Sequence, residues 1–437
     1  MTLATGGGMF IDGFIFASFA AALAGKGMND ALGVSTGWAQ LISSSTLVGT
    51  FFGGLVLGYV TDRLGRRPMF TIDLSVFLTC SILMFFVTSN WQVLTLGLIM
   101  GLAIGADYSI GSPLLSEFTP SRRRGHFLGV LEIGWNVGYV VAFLIGYVIN
   151  THFPGAWHVT LAASAVPAVI CLVIRHGLPE SPRWLFSKGR SEEAEAILRD
   201  DVGVDRLGDF AREEKAETRW RVLVSPDYLL RTVFACTFWI CIVLPYFALT
   251  FFQAEVLGDI GLGDNALAGA LLGTVVALTG AVVGWRIVDR VGRRKILIAP
   301  MFVCAAFLLT VSFASHLPVV LAAFCFFGYL FSYGIMSILP GIYPMEVFPT
   351  SVRTSGVGLA SAASRVGAAI GTFGLPWVLA HWGLPPLMII MAVVSVIGGL
   401  TSLRWAPETN GRELSETAHR DNTGSARTSV AVEDLAA

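Results

Sequence analysis

The chain has 437 residues, of which 54% are hydrophobic and only 14% are charged, with a formal net charge of −1. Soluble domains carry roughly 25% charged residues, so this composition excludes an ordinary soluble protein and favours one that buries apolar surface in a bilayer. The near-neutral charge gives no indication of nucleic-acid binding.

Taken in chain order, the apolar runs predict twelve membrane helices. About 20 apolar residues are needed for a helix to cross the hydrocarbon layer. The predicted helices 1 to 12 cover residues 3–24, 37–60, 69–88, 91–116, 126–150, 157–176, 229–256, 266–287, 295–314, 317–344, 355–380 and 384–404.

The loops between these helices alternate in charge, which predicts their orientation. Lys and Arg are almost absent from every second loop and are concentrated in the others, at 63–67, 122–124, 177–228, 290–295 and after 404. Positively charged loops stay on the cytoplasmic side. We therefore expect a multi-pass plasma membrane protein, in the inner membrane if the source is bacterial, with both termini in the cytoplasm.

Three sequence features occur twice, about half a chain apart, which indicates an internal duplication. The pairs are GYVTDRLGRRP and GWRIVDRVGRRK, SEFTPSRRRG and MEVFPTSVRTSG, and LPESPRW and APETNGRE, at offsets of 227 (Asp62 to Asp289), 229 (Glu117 to Glu346) and 228 residues (Pro179 to Pro407).

The duplication predicts an all-α membrane protein with twelve helices in two six-helix bundles. We expect an N-terminal bundle over 1–176, a cytoplasmic loop with short helices over 177–228, a C-terminal bundle over 229–404 and a disordered cytoplasmic tail over 405–437. Because one chain contains both halves, we expect it to function as a monomer.

These motifs resemble a known family. The G-x-x-x-D-R-x-G-R-R loop, P-E-S-P-R after helix 6 and P-E-T-x-G after helix 12 resemble the sugar-porter branch of the major facilitator superfamily. The segment GADYSIGSPLLSEF (105–118) is similar to helix 4 of proton-coupled phosphate and organic-metabolite symporters. The resemblance implies the major facilitator fold, alternating access driven by an ion or substrate gradient, and no enzymatic activity or cofactor.

Acidic and basic residues recur together at the predicted cytoplasmic helix ends. Basic residues alone would suffice to fix the topology, which is the alternative interpretation, so the acidic partners favour ion pairs that open and close a gate. We expect Asp73 to belong to this gate as well. The predicted gate consists of Asp62, Arg63, Arg66, Glu117 and Arg124 facing Asp289, Arg290, Arg293, Glu346 and Arg353, with Glu180, Arg183 and Glu408 bracing its ends.

Two acidic residues fall inside predicted helices, where an isolated charge is costly and therefore calls for a function. Asp12 in helix 1 and Asp107 in helix 4 match, through the resemblance, acidic residues of proton-coupled symporters. We expect both to carry protons. The alternative is that they only form hydrogen bonds between helices.

Two further charged residues predict the substrate site. Arg365 in helix 11 offers a planar guanidinium that suits a carboxylate or phosphate group, and Glu132 in helix 5 lies where sugar porters have a glutamine. A structural ion pair of Arg365 with Glu132 or Asp107 is the alternative. Tyr108, Asn136 and Trp239 are expected to complete the site, and weaker candidates are Trp135, Tyr246, Gln253, Tyr333 and Tyr343.

Departures from the family patterns reduce the range of expected substrates. Gly97 stands where sugar porters have an arginine, and Val243 stands where phosphate symporters have an acid. We therefore expect proton-coupled uptake of a small organic metabolite, a carboxylate or sugar acid. A sugar transporter and an exporter or antiporter remain alternatives. The sequence has no HExxH, P-loop, GxSxG or paired metal-ligand motif, so neither an enzyme nor a metal site is expected.

Overall fold

The computed structural model of the chain describes residues 2–118, 124–175, 180–201, 223–348 and 353–410. Within these ranges the regular structure is helical throughout, without a strand. The predicted tail beyond 410 and the loop segment 202–222 lie outside the described residues.

Twelve membrane helices follow one another along the described chain, and we label them α1 to α12. Several are interrupted, and their segments share one label. The helices are α1 Thr2–Ala24, α2 Thr36–Leu64, α3 Arg66–Met84, α4 Asn90–Phe118, α5 Arg124–His152, α6 Trp157–Ala162 with Ala165–Arg175, α7 Pro226–Phe251 with Gln253–Leu257, α8 Ala266–Val291, α9 Arg293–Val311, α10 Val319–Met336 with Leu339–Val347, α11 Arg353–Trp382 and α12 Leu384–Trp405.

All of these helices except α11 lie in the eleven described stretches that are long and apolar enough to cross a bilayer. α11 is 30 residues long, but it contains Arg365 and many small polar residues. Large apolar side chains such as Phe86, Val173 and Val320 are exposed on the outside of the molecule, at 68%, 70% and 83%. Such an outer surface fits hydrocarbon rather than water.

Three helices that the sequence predicts as continuous are broken. α6 is interrupted between Ala162 and Ala165. α7 contains Pro245, and its helical backbone stops at Phe252, which has φ −116° and ψ 29°. α10 is interrupted between Met336 and Leu339, just before Pro340, whose ring disfavours a continuing helix. Discontinuous helices of this kind are typical of transporters, where they lie next to binding sites.

The two halves repeat the same packing. α1 packs on α5 and α2 on α4, and in the second half α7 packs on α11 and α8 on α10. The halves meet along α2 with α11 and along α5 with α8. The predicted fold class, two six-helix bundles of an all-α membrane protein, is thus confirmed.

Glycines allow the closest of these contacts. A Cβ atom on Gly13 of α1 would overlap the carbonyl oxygen of Trp135 in α5, and one on Gly138 of α5 would overlap the carbonyl oxygen of Phe10. Small residues at such positions let membrane helices approach to backbone contact.

Two short helices, Pro182–Ser187 and Ser191–Asp201, follow α6 in the predicted cytoplasmic loop. In this exposed region Arg190 Nε donates to Glu193 Oε1 over 2.7 Å. The hydrogen bond from Arg190 lowers the pKa of the Glu193 carboxyl.

Candidate functional site

The first half contains a buried cluster of opposite charges. Arg175, at the end of α6, donates from Nη2 to Asp107 Oδ1 of α4 over 3.2 Å, and its Nη1 lies 3.7 Å from Asp73 Oδ1 of α3. The guanidinium also lies 4.1 Å from the ring centroid of Phe70. The side chains of Arg175 and Asp107 are only 5% and 1% exposed, so water screens this pair little.

Helix α1 packs over this cluster, and the residue that faces it is Gly8. A Cβ atom on Gly8 would overlap both Asp107 Oδ2 and Arg175 Nη2. A side chain at this position would force either α1 or the two charged groups to shift. Gly8 therefore brings the backbone of α1 directly onto the Asp107–Arg175 ion pair.

Asp12 lies one helical turn beyond Gly8 on α1 and is 0% exposed. Neither of its carboxylate oxygens has a hydrogen-bond partner among the described residues. Asp107, Asp73, Arg175 and Arg365 all act on it electrostatically. A buried carboxylate without a direct partner is costly to keep charged, which suits a group that takes up and releases a proton.

The second buried cation, Arg365 of α11, lies where the two halves meet. Its guanidinium carbon is 4.6 Å from the ring centroid of Tyr108 in the first half and 5.8 Å from that of Phe247 in the second. Arg365 is 4% exposed, and its Nε has no hydrogen-bond partner. Within the described part of the chain, no carboxylate oxygen lies within 4 Å of it.

Neither ion pair that the sequence left open for Arg365 is formed among the described residues. Asp107 binds Arg175 instead. Glu132 interacts with Arg365 only at longer range, and its Oε1 faces Gly341 of α10, where a Cβ atom would lie 2.8 Å away.

Two of the other predicted substrate residues, Asn136 and Trp239, are buried, and the third, Tyr108, contacts Arg365. Asn136 donates from Nδ2 to the Glu132 carbonyl of its own helix over 2.8 Å, so one amide proton is already used. Trp239 of α7 is buried at 5% exposure. Tyr108 lies beneath the guanidinium of Arg365.

Aromatic rings fill the interface beside Arg365. Phe16 of α1 contacts Phe247 of α7 edge-on, with ring centroids 5.1 Å apart, and Tyr246 stacks on Tyr333 at 3.8 Å. Trp135 lies 6.2 Å from Tyr246, and its indole Nε1 is buried without a partner. The Phe16–Phe247 and Trp135–Tyr246 contacts join the two halves.

Three of the predicted gate residues of the second half, Asp289, Arg293 and Glu346, form one network. Arg293 donates from Nε and Nη2 to both oxygens of Glu346, each over 3.1 Å, and its Nη1 lies 3.0 Å from Asp289 Oδ1. Thr409 Oγ1 donates to Glu346 Oε2 over 2.5 Å. The ion pairs of Arg293 thus link α8, α9 and α10 within one half.

Glu180 and Glu408 bind the starts of α3 and α9. Glu408 Oε1 accepts the backbone N–H of Arg293 over 3.0 Å, and Glu180 Oε1 accepts that of Arg66 over 3.0 Å. Glu180 and Glu408 also accept the next backbone N–H groups, those of Arg67 and Arg294.

The remaining gate residues are described only in part. Arg63 and Arg290 are exposed and Arg66 is half-buried. The side chains of Asp62, Glu117, Arg124, Arg183 and Arg353 lie outside the described part of the structure, so the predicted pairing across the two halves stays a prediction.

Arg175 and Gly8 were not predicted from the sequence. Asp73, which was expected in the gate, lies beside Arg175. Arg175 lies at the end of its helix, where a basic residue usually faces water. Only its burial beside two acids distinguishes it, and burial is not visible in one sequence.

A cavity of about 380 Å³ lies at the opposite end of the helices from the gate network. It is lined by residues of both halves, including Leu23, Asn29, Ser35, Glu255, Asp259 and Pro376. According to the predicted orientation, it opens to the outside. In the described ranges, His, Cys, Asp and Glu form no group of three or more that could hold a metal ion.

Comparisons with known proteins agree with this geometry. The model of the family described as "Sugar (and other) transporter" matches residues 4–420. The inner membrane metabolite transport protein YgcS of Escherichia coli (strain K12) is 37% identical over 377 residues, covering 86% of this chain and 84% of that protein. The putative metabolite transport protein YaaU of the same strain is 32% identical, covering 94% and 93%.

Among solved structures, the major facilitator superfamily proton:xylose symporter XylE bound to 6-bromo-6-deoxy-D-glucose aligns with a TM-score of 0.81. It is 21% identical, and the alignment covers 95% of this chain and 97% of that chain. At this identity the likeness shows a shared fold.

Proposed function

Because this chain belongs to the sugar (and other) transporter family and is a multi-pass membrane transporter rather than an enzyme, we propose that it takes up a small organic anion together with protons. The proposed substrate is a carboxylate or sugar acid. The protein would act as a monomer by alternating access in a bacterial inner membrane, with both termini in the cytoplasm.

One observation supports an anionic substrate: the guanidinium of Arg365 is buried where the two halves meet. It lies on Tyr108, and no described carboxylate lies within ion-pair distance. An uncompensated buried cation is expensive. A bound carboxylate would supply the missing charge and a bidentate hydrogen-bond partner. Glu132, Asn136 and Trp239 would contact the rest of the substrate.

In the proposed mechanism, the carboxyl groups of Asp12 and Asp107 bind and release the transported proton. Asp12 is buried without a partner, and it shares α1 with Phe16, one of the rings that join the halves. Neutralising Asp12 would remove a buried charge beside the interface. Loading of a proton from one side and release to the other would then accompany each exchange of access.

The gate would use the charged helix ends. In the second half, Arg293 holds Glu346, Asp289 and, through its backbone, Glu408. We propose that this network and its counterpart around Arg63, Arg66 and Glu180 meet when the cytoplasmic side is closed. Such polar contacts reopen to water more easily than an apolar seal does.

A sugar is the second candidate substrate. The family description includes sugars, and XylE, which has the same fold, carries xylose with protons. The aromatic rings beside Arg365 could also pack against a sugar ring. Export in place of uptake is a third possibility that the same experiment tests.

The proposal is tested with the purified protein in liposomes that have an acidic exterior. Radiolabelled D-glucuronate, benzoate, D-glucose and D-xylose are offered separately. We expect accumulation of a carboxylate that stops when a protonophore removes the pH gradient. Accumulation of D-glucose or D-xylose alone would favour a sugar as the substrate. Loss of a preloaded compound into an acidic exterior would favour an exporter.

The Arg365→Ala variant examines the anion site. Losing a charge-assisted bond should lower carboxylate uptake about tenfold or more. Arg404→Ala is the matched control because Arg404 is exposed at the end of α12. Equal uptake by both variants would remove Arg365 from the substrate site.

A further inference from the structure

We propose that the carboxylate substrate also carries a positively charged nitrogen, so that it is a zwitterion without net charge. This inference rests on the proposed carboxylate site at Arg365 and narrows its substrate class. The carboxylate would bind Arg365 of the second half, and the cationic nitrogen would bind Glu132 of the first half among aromatic rings.

Glu132 and Arg365 bring opposite charges to the same interface from different halves. Glu132 lies on α5, and a Cβ atom on Gly341 of α10 would be 2.8 Å from its Oε1. Arg365 of α11 attracts Glu132 electrostatically, but no ion pair within 4 Å joins the two in the described structure. Glu132 is half-buried. A ligand between the two charges can therefore contact both.

A plain carboxylate would satisfy only one of these two charges. Once bound to Arg365, it repels Glu132 and offsets the attraction between Glu132 and the guanidinium. Glu132 then stays half-buried without a counter-charge, which is costly. Asp12 also acts on Arg365, but in the proposed mechanism it takes up a proton and loses its charge. A cationic group on the substrate removes the cost because it supplies the charge that Glu132 lacks.

Aromatic rings beside Glu132 suit a cationic nitrogen. Trp135 follows Glu132 by one helical turn on α5, and its ring centroid lies 6.2 Å from that of Tyr246. Tyr246 stacks on Tyr333, which interacts electrostatically with both Glu132 and Arg365. The faces of such rings attract cations, most strongly where water is excluded. The interface thus has a guanidinium for a carboxylate, and an acid with rings for a cationic nitrogen.

The charge of the outer cavity is a second, independent observation. Its lining among the described residues includes Glu255 and Asp259 and neither Lys nor Arg. Both acids are exposed, and neither forms an ion pair with a described residue. If the cavity opens to the outside, as the predicted orientation has it, this entrance repels a plain anion and slows its arrival. A zwitterion can pass with its cationic nitrogen towards the acids.

The experiment compares ligands of one shape and different charge. N-methylnicotinate is a zwitterion, m-toluate has a ring carbon in place of the charged nitrogen, and N-methylnicotinamide has an uncharged amide in place of the carboxylate. Glycine betaine and 3,3-dimethylbutanoate form an aliphatic pair of zwitterion and anion. Calorimetry measures their binding to the full-length protein in lipid nanodiscs. We expect at least one zwitterion to bind about tenfold or more tightly than its anionic counterpart.

Substitutions separate the two charges of the site. Glu132→Gln keeps the shape and should weaken binding of the zwitterion about tenfold or more, whereas the matching anion should bind at least as tightly as before. Glu132→Asp should keep part of the preference for the zwitterion, and Arg365→Ala should weaken binding of both carboxylates. Glu192→Gln is the matched control, because Glu192 is an exposed acid on the Ser191–Asp201 helix. It should bind every ligand like the wild type.

In both pairs, binding of the anion as tight as that of the zwitterion would overturn the inference. If that binding depended on Arg365, the proposed function would stand. An equal loss of zwitterion and anion binding in Glu132→Gln would also overturn the inference. If the wild type bound no zwitterion, the inference would fall, and D-glucuronate or benzoate binding would still support the proposed function. Binding of D-glucose or D-xylose without any carboxylate would remove both.

Discussion

Glu180 and Glu408 stand at equivalent places in the two halves, each with its carboxylate on the first backbone N–H groups of a membrane helix. Glu180 binds the start of α3 and Glu408 the start of α9, with matching first bonds of 3.0 Å. Helix starts have unpaired N–H groups and a partial positive charge, so a carboxylate there both completes hydrogen bonds and is electrostatically favourable.

Removal of either carboxylate should therefore destabilise the protein by a similar amount. We expect Glu180→Ala and Glu408→Ala each to cost about 1 kcal/mol, the usual effect of losing an N-terminal helix cap. Thermal unfolding in detergent measures it. Glu192→Ala is the control, because Glu192 is exposed on the Ser191–Asp201 helix. Midpoints equal to the control's would contradict the capping role.

Gly292, which immediately precedes α9, should not tolerate a side chain. Its φ is +93°, and a Cβ atom would lie 2.5 Å from Glu408 Oε2. We expect Gly292→Ala to lower stability by about 1–3 kcal/mol through backbone strain and the displaced carboxylate. Gly258→Ala should be close to neutral, because its φ is −60° and nothing lies within 4 Å. Equal unfolding midpoints for the two variants would contradict this account.

The bidentate bond between Arg293 and Glu346 should matter more than an exposed ion pair. Among the described residues, Glu346→Gln leaves the buried guanidinium of Arg293 with only Asp289 as a charged partner. We expect a loss of a few kcal/mol in stability and slower uptake of the carboxylate that the wild type accumulates, with its binding affinity unchanged. Glu193→Gln, at an exposed pair, should leave the unfolding midpoint and the uptake rate at wild-type values.

The ring contact between Phe16 and Phe247 should contribute directly to holding the halves together. A double-mutant cycle with Phe16→Ala and Phe247→Ala should give a coupling of about 0.5–1.5 kcal/mol in unfolding measurements. Phe16→Ala combined with Phe326→Ala, on α10, should be additive. Additive effects in the first cycle would show that the halves do not depend on this contact.

Asp12→Asn should separate binding from accumulation. The amide has the shape of the acid but cannot exchange a proton, so pH-driven accumulation should be lost while substrate counterflow without a gradient remains. Asp264→Asn is the control because Asp264 is an exposed acid outside the bundle core. Accumulation by Asp12→Asn at the wild-type level would remove Asp12 from the coupling mechanism.

The architecture could be predicted from the sequence because the signals for it, apolar runs and repeated motifs, are local or occur twice. Hydropathy located twelve helices, and the offset between Asp62 and Asp289 indicated the duplication. The breaks in α6, α7 and α10 were not predicted, because they fall within apolar runs whose composition still favours a helix.

The site was predictable only as a set of unusual residues. A charged residue within an apolar run, such as Asp12 or Arg365, can be recognised because placing a charge in a membrane costs free energy. Which charges meet depends on how α1, α3, α4 and α6 pack, and this is not visible in a single chain without its fold. Arg175 was therefore missed, and the proton-carrying role expected for Asp107 stays a prediction.

The backbone contact of α1 with α5, through Gly13 and Gly138, leaves no compressible layer of side chains between these helices. Asp12 and Glu132 sit on opposite members of this pair. If Asp12 takes up a proton as proposed, we expect any shift of α1 to move α5 as well, because rotamer changes at a backbone contact cannot absorb it. Protonation on one helix would then change the position of Glu132, the proposed substrate contact on the other.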